Sequence, residues 1–185
     1  MKKLIMCEGP NELSIMKILL NNNMLIFSED DLLGLTPYHA RQIGKSGQVK
    51  AELNQYSGIV DVIRIGDKQS DELKIPKEYK GMINSIEKYC TKPELEILLI
   101  IAEGLYNKYQ KVKSKISPKQ FAKDNIIFNG VRYNNSTKFF EEYFGERPQV
   151  LYDAIVKYSE VNKGHGKSER YLVELLRGYN LHEEK

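Results

Sequence analysis

The chain has no tryptophan, and among its 185 residues there are only three histidines and two cysteines. Cys7 and Cys90 form no Cys-x-x-Cys pair and have no histidine at zinc-ligand spacing. A disulfide scaffold and a sequence-encoded zinc centre are both excluded, and the two read as reduced core thiols. His39 and His182 likewise stand alone. There is no Gly-x-Ser-x-Gly, no His-Glu-x-x-His and no Walker A loop, so the hydrolase and NTPase classes that depend on them do not apply. No apolar run approaches the roughly 18 residues of a membrane span. Lys2 and Lys3 precede an apolar stretch as in a leader peptide. Glu8, Asn11 and Glu12 interrupt it within a few residues and no small-residue cleavage site follows, so the segment reads as the first strand of the domain. A cytoplasmic location without a membrane partner is expected.

What is present suits a globular chain of one to one-and-a-half domains, with 41% hydrophobic and 29% charged residues. The net charge of +3 permits a nucleic-acid partner without requiring one. Lys108, Lys111, Lys113 and Lys115 form the densest basic run, with Lys119 and Lys123 close behind; it is either a solvated face or a contact surface. The 12 tyrosines fit a nucleic-acid surface but do not select it.

Leu4-Ile5-Met6-Cys7 has the pattern of a strand buried on both faces, followed by a turn at Glu8-Gly9-Pro10 and a helix with Asn11 as N-cap. Thr36-Pro37 signals a second helix reaching about residues 51–56, in one piece or in two divided at Gly44 and Gly47. Asp61 to Asp67 is the next clear strand, rich in β-branched residues and ended by Gly66. Residues 68–79 read as loop. A short strand ends near Cys90, and Thr91 to Glu94 announces one long helix with Leu95, Leu98, Leu99, Ile101, Ala102 and Leu105 on its apolar stripe. Ser117-Pro118, Thr137 and Pro148 open further helices, and Tyr171, Leu172, Leu175 and Leu176 suggest a last amphipathic one, with Gly178 as C-cap. The expected fold is α/β, a small mostly parallel sheet flanked by helices with a helical C-terminal extension. Residues 1–110 form its core and 111–185 the extension, in one unit.

Four clusters carry candidate chemistry. Glu8 lies at the C-terminal end of a buried strand, where open α/β sheets bind ligands, and Gly9 leaves room there for a bulky substrate. Asp67 ends its strand in the same way, and Asp71 follows. If the two strands are neighbours these carboxylates converge, with no obvious basic partner except Lys68, and a Mg²⁺ or Mn²⁺ site results. Glu94 and Glu96 lie in the first turn of a helix, where two acids two residues apart cannot share a face. Lys163-Gly164-His165-Gly166-Lys167 could meet a phosphate, or be a solvated loop. Asp67 and Asp71 would hold the cation, Glu8 would be general base or further ligand, and Lys167 would steady charge on the phosphate. Gly9, Arg64, Lys68, Glu94 and His165 would contact substrate.

In order, these pieces resemble a TOPRIM-type domain, closest to the small OLD-like and phage-defence-associated nucleases. Met6-Cys7-Glu8-Gly9-Pro10-Asn11-Glu12-Leu13 is similar to the family's strand ending in Glu-Gly and leading into a helix with an early acid. Ile63 to Gln69 is similar to its second acidic strand, and Pro93-Glu94-Leu95-Glu96 to its later glutamate segment. The likeness covers about the first 105 residues. Where the family has Asp-x-Asp, this chain has Asp67-Lys68-Gln69. The resemblance implies Mg²⁺-assisted phosphodiester chemistry on DNA or RNA; the tyrosine-rich helical tail outside it could pair with a second copy of the chain or with a larger ATPase-type protein. The alternatives are a non-catalytic module of the same type that binds nucleic acid or protein, favoured by Gln69, and a nucleotide-binding regulatory domain built on Gly164 to Lys167.

Overall fold

The computed structural model describes residues 1–67, 72–91, 94–162 and 170–179. Its layers follow from strand β1, Lys2–Cys7, which is apolar on both sides. Leu4 and Met6 belong to one core cluster, Ile5 and Cys7 to the other, and all four are fully buried. A strand of this kind must be covered on both faces, which the alternation of side chains makes the natural outcome of a parallel sheet.

Helix α1, Pro10–Asn21, follows a tight turn in which Gly9, not Asn11, is the N-cap and Pro10 takes the first helical position. The chain then forms β2 (Tyr38–His39), α2 (Gly47–Gln55), β3 (Val60–Gly66) and β4 (Ile83–Cys90). The helix expected from Thr36-Pro37 is absent; Tyr38 pairs with Met6 and His39 with Cys7, and the helix opens later, capped by Ser46. Next come α3 (Glu96–Ala102), α4 (Tyr106–Gln110), α5 (Pro118–Asn125), the hairpin of β5 (Ile127–Phe128) and β6 (Val131–Arg132), α6 (Thr137–Gly145) and α7 (Pro148–Val161). The final segment forms β7, Arg170–Tyr171, and a short 3₁₀ turn, Leu172–Leu175, where a helix was expected.

The main sheet has the order β2-β1-β3-β4-β7, and all its pairs are parallel. Helix α2 places Val49 and Leu53 on the face of Leu4, Met6, Val60 and Val62. Helices α1, α3, α5, α6 and α7 cover the other face, over Ile5, Cys7, Ile63 and Ile65. Because the chain leaves β1 for β2 and then crosses to β3 on the opposite side, the winding reverses at β1. In doubly wound sheets that reversal opens a crevice beyond the carboxyl ends of the two central strands. Among the described residues no helix is long and apolar enough to cross a membrane. Cys7 and Cys90 are buried and unpaired.

The apolar stripe from Leu95 to Tyr109 is broken into two helices at Gly104, whose φ of +69° is left-handed. An added Cβ there would meet nothing within 4 Å, so substitution would test backbone conformation alone. Gly104→Ala is expected to destabilise the protein by about 1 kcal/mol through left-handed strain, read as a lower midpoint in urea. A continuous helix would instead gain roughly 1 kcal/mol from the same change, and a raised midpoint would contradict the break.

Candidate functional site

The ends of β1, β3 and β4 bring the acidic residues together in two separate groups. The backbone N–H of Glu8 donates to the Ile65 carbonyl at 2.9 Å, extending the β1–β3 ladder by one residue. Alternation then sends Glu8 to the same side as Met6 and Leu4, and Arg64 and Lys88 to that side from β3 and β4, where they are register partners. Glu8 is 5% exposed, and its Oε1 lies 3.2 Å from Arg64 Nη2 and 3.2 Å from Lys88 Nζ. Arg41 Nε donates to the Glu8 carbonyl at 3.1 Å. The partner that the sequence left unnamed for this carboxylate is thus supplied by the sheet itself. Gly66 is part of the arrangement, since a Cβ there would stand 2.1 Å from the Glu8 carboxyl carbon.

Asp67, one residue past Gly66, falls on the other face. There it borders an open cleft of about 190 Å³ with Glu12, Thr91, Glu94, Glu96 and Lys119; Glu8 is not among the lining residues. Glu8 and Asp67 therefore end adjoining strands, as the sequence suggested, but serve different groups. Glu12, in the first turn of α1, takes the place in the cleft that the sequence reading gave to Glu8. Its carboxylate folds back over Gly9, where a Cβ would lie 2.5 Å from Glu12 Oε2, and Thr91 Oγ1 stands 3.5 Å from its Oε1.

Burial pushes the Glu12 carboxyl above its ordinary range. Its own backbone hydrogen bond works against that shift, and the negative charges of Asp67, Glu8 and Glu96 add to it. Glu96 is 4% exposed and accepts from the Tyr133 hydroxyl at 2.7 Å. The Tyr133 hydroxyl is itself pushed upward by burial and by that carboxylate. Glu94 Oε2 accepts from the backbone N–H of Lys119 at 2.9 Å. Glu94 and Glu96 both face the cleft, against expectation, because α3 begins only at Glu96 and the spacing rule of a helix does not apply to Glu94.

Each donor in this cleft is an oxygen, the type that suits Mg²⁺ or Mn²⁺. Among the described residues no three carboxylate, histidine or cysteine side chains stand close enough to enclose one ion. Mg²⁺ does not require such a cage, since it is commonly held by one or two carboxylates, water and substrate phosphate. Asp71, Lys68, His165 and Lys167 lie outside the described residues. The role of Glu12 was legible in principle, four residues after Glu8 and inside the first helical turn. Lys88 was legible only once β4 was known to pair with β3 in register. No family model, curated protein or solved structure matches the chain.

Because folding raises the proton affinity of Glu12, the native state holds its extra proton. That contribution is complete below the ordinary value of 4.5 and is lost as pH rises through the raised one. Glu12→Gln removes both the burial cost and the repulsion. It is expected to raise Tm at neutral pH by about 3 °C, the effect of roughly 1 kcal/mol in a chain of this size, with the gain shrinking as pH is lowered toward 4.5. A variant that gains nothing at neutral pH, or gains equally across the range, would contradict the placement of Glu12.

Proposed function

We propose that this chain is a metal-dependent phosphodiester-processing domain of nuclease type acting on DNA or RNA, with the cleft between Glu12 and Asp67 as its reaction site. The observation that carries the reading is Glu12. It is partly buried and pressed by three other carboxylates, and no lysine or arginine nitrogen lies within 4.0 Å of it among the described residues. A bound dication would relieve that repulsion, which no cation among the described residues does at ion-pair distance. Glu12 and Asp67 would hold the ion. Glu94 has one oxygen that no described residue engages, the other being bonded to Lys119, and Thr91 brings a hydroxyl to the same wall.

An ion bound there supplies Lewis acidity and a template for the scissile phosphate. The protein's own groups do the rest. Tyr133 fixes the carboxylate of Glu96, so the negative potential of the wall has a defined direction. Lys119 stands at the rim, where it can meet phosphate charge. Glu8, locked by Arg64 and Lys88, is a positioning residue that holds the ends of β1, β3 and β4 in register. This assignment keeps the TOPRIM-like reading of Glu8-Gly9-Pro10-Asn11-Glu12 but moves the ligand role from its first glutamate to its second. The unpaired thiols of Cys7 and Cys90 are consistent with a cytoplasmic setting.

Mn²⁺ at about ten times its dissociation constant should stabilise the protein by roughly 1.4 kcal/mol. Glu12→Gln and Asp67→Asn should each abolish that gain together with Mn²⁺-dependent cleavage of a labelled oligonucleotide. Cleavage retained in both variants, or no metal-dependent gain in the wild type, would overturn the reading.

A further inference from the structure

Between Gly104 and Lys123 the chain carries six lysines and no aspartate or glutamate. Val112 and Ile116 pack against the core of the α1 face, so the alternate residues Lys111, Lys113 and Lys115 are turned outward and exposed. Among the described residues none of the six ammonium groups lies within 4.0 Å of a carboxylate. Lys108, also exposed, is tied down: its Nζ donates to Asn125 Oδ1 at 2.7 Å and lies 6.0 Å from the centre of the Phe121 ring, joining this segment to α5.

The band has a direction. Lys119 and Lys123 stand four residues apart on one face of α5, about 6 Å along its axis. Beyond them Arg132 Nη1 donates to the carbonyls of Lys123 and Asp124 at 3.3 and 3.0 Å, which brings its guanidinium to the end of the same helix. Asp124, the next residue after Lys123, is engaged by Gln120 Nε2 at 2.9 Å. Between the two groups Lys119 borders the acidic cleft itself, and its backbone N–H is bonded to Glu94. The line of cations thus meets the carboxylates at Lys119.

We propose that this band, from Lys111 through Lys119 and Lys123 to Arg132, is a docking track for the phosphate backbone of a nucleic acid, leading it to the cleft. It deepens the proposed function by naming how the substrate is held, and depends on that reading only for the direction of feeding. Lysines spaced along an exposed segment and a helix neutralise successive phosphates without reading bases, so the track is sequence-independent. An anionic membrane is the weaker fit. Surface helices that enter a bilayer interface present large apolar side chains beside their lysines, and among the described residues none of the exposed large hydrophobics falls between 104 and 123, where the lysines lie; the exposed Ile127 and Val131 stand beyond them on the hairpin of Arg132.

The test uses the full chain in EDTA, so that binding is read without metal or cleavage. Fluorescence anisotropy with a labelled mixed-sequence DNA, single-stranded and duplex, and with the matching RNA, gives affinity as a function of salt. Two variants are compared, Lys111→Gln/Lys113→Gln/Lys115→Gln and Lys119→Gln/Lys123→Gln. Each is expected to keep the wild-type Tm and to weaken binding about tenfold or more at low salt. Each lost contact should flatten the logarithmic salt slope by about 0.7 on single strands and 0.9 on duplex. Unchanged affinity and slope in both variants would overturn the track, as would loss confined to phosphatidylserine vesicles with oligonucleotide binding intact. Binding lost in the lysine variants with no metal-dependent cleavage in the wild type would leave the track standing and remove the nuclease reading; cleavage with unaffected binding would do the reverse.

Discussion

A carboxylate withdrawn from water at the end of a central strand must find compensating charge, and Glu8 finds it twice, in Arg64 from β3 and Lys88 from β4. Lys88 retains some access to water, with 14% of its side chain exposed, whereas Arg64 is buried. Removing one partner of such a pair typically costs about 3–5 kcal/mol, because the remaining charge is left buried without an answer. The three residues come from three adjacent strands, so the pairing also fastens the strand ends in a single register. Gly66 makes that possible by leaving the space that the Glu8 side chain fills.

The same cluster divides the charge of the sheet end between its faces. On the α2 side one carboxylate meets two cations. On the α1 side Glu12, Asp67, Glu94 and Glu96 share a cleft in which Lys119 is the one lining cation among the described residues. Glu8 still acts across this division, since its charge is one of those raising the proton affinity of Glu12. A protein gains nothing in stability from gathering like charges in a partly buried space, and sites where such a cost persists are commonly functional. The lysine band that meets the cleft at Lys119 gives it an electrostatic approach of opposite sign.

Much of this architecture could be read in the residues. The two-sided apolar run of β1, the β-branched run of β3 and the Ser117-Pro118 cap of α5 are local signals, and local structure obeys them. What was hidden depended on distant partners. Tyr38–His39 is a two-residue strand, too short for any periodicity, and exists because β1 offers an open edge. Arg170–Tyr171 carries helical spacing in its neighbours yet joins β4, since the sheet would otherwise end on an unpaired strand. The stripe after Leu95 does have helical period, but Gly104 interrupts it without breaking the period. At the site, the strand ends were identifiable while the faces were not. Whether Glu8 or Glu12 looks into the cleft is settled by the alternation of β1 against β3 and by the cations that capture Glu8, neither of which is visible from spacing alone.

The division of roles between the two glutamates can be observed directly in a crystal grown with Mn²⁺ and measured at a wavelength where manganese scatters anomalously. The account predicts a single peak in the cleft, within coordination distance of the Glu12 and Asp67 carboxylates, with Glu8 still paired to Arg64 and Lys88. A peak bound by Glu8, or a cleft that stays free of manganese at saturating concentration, would contradict it.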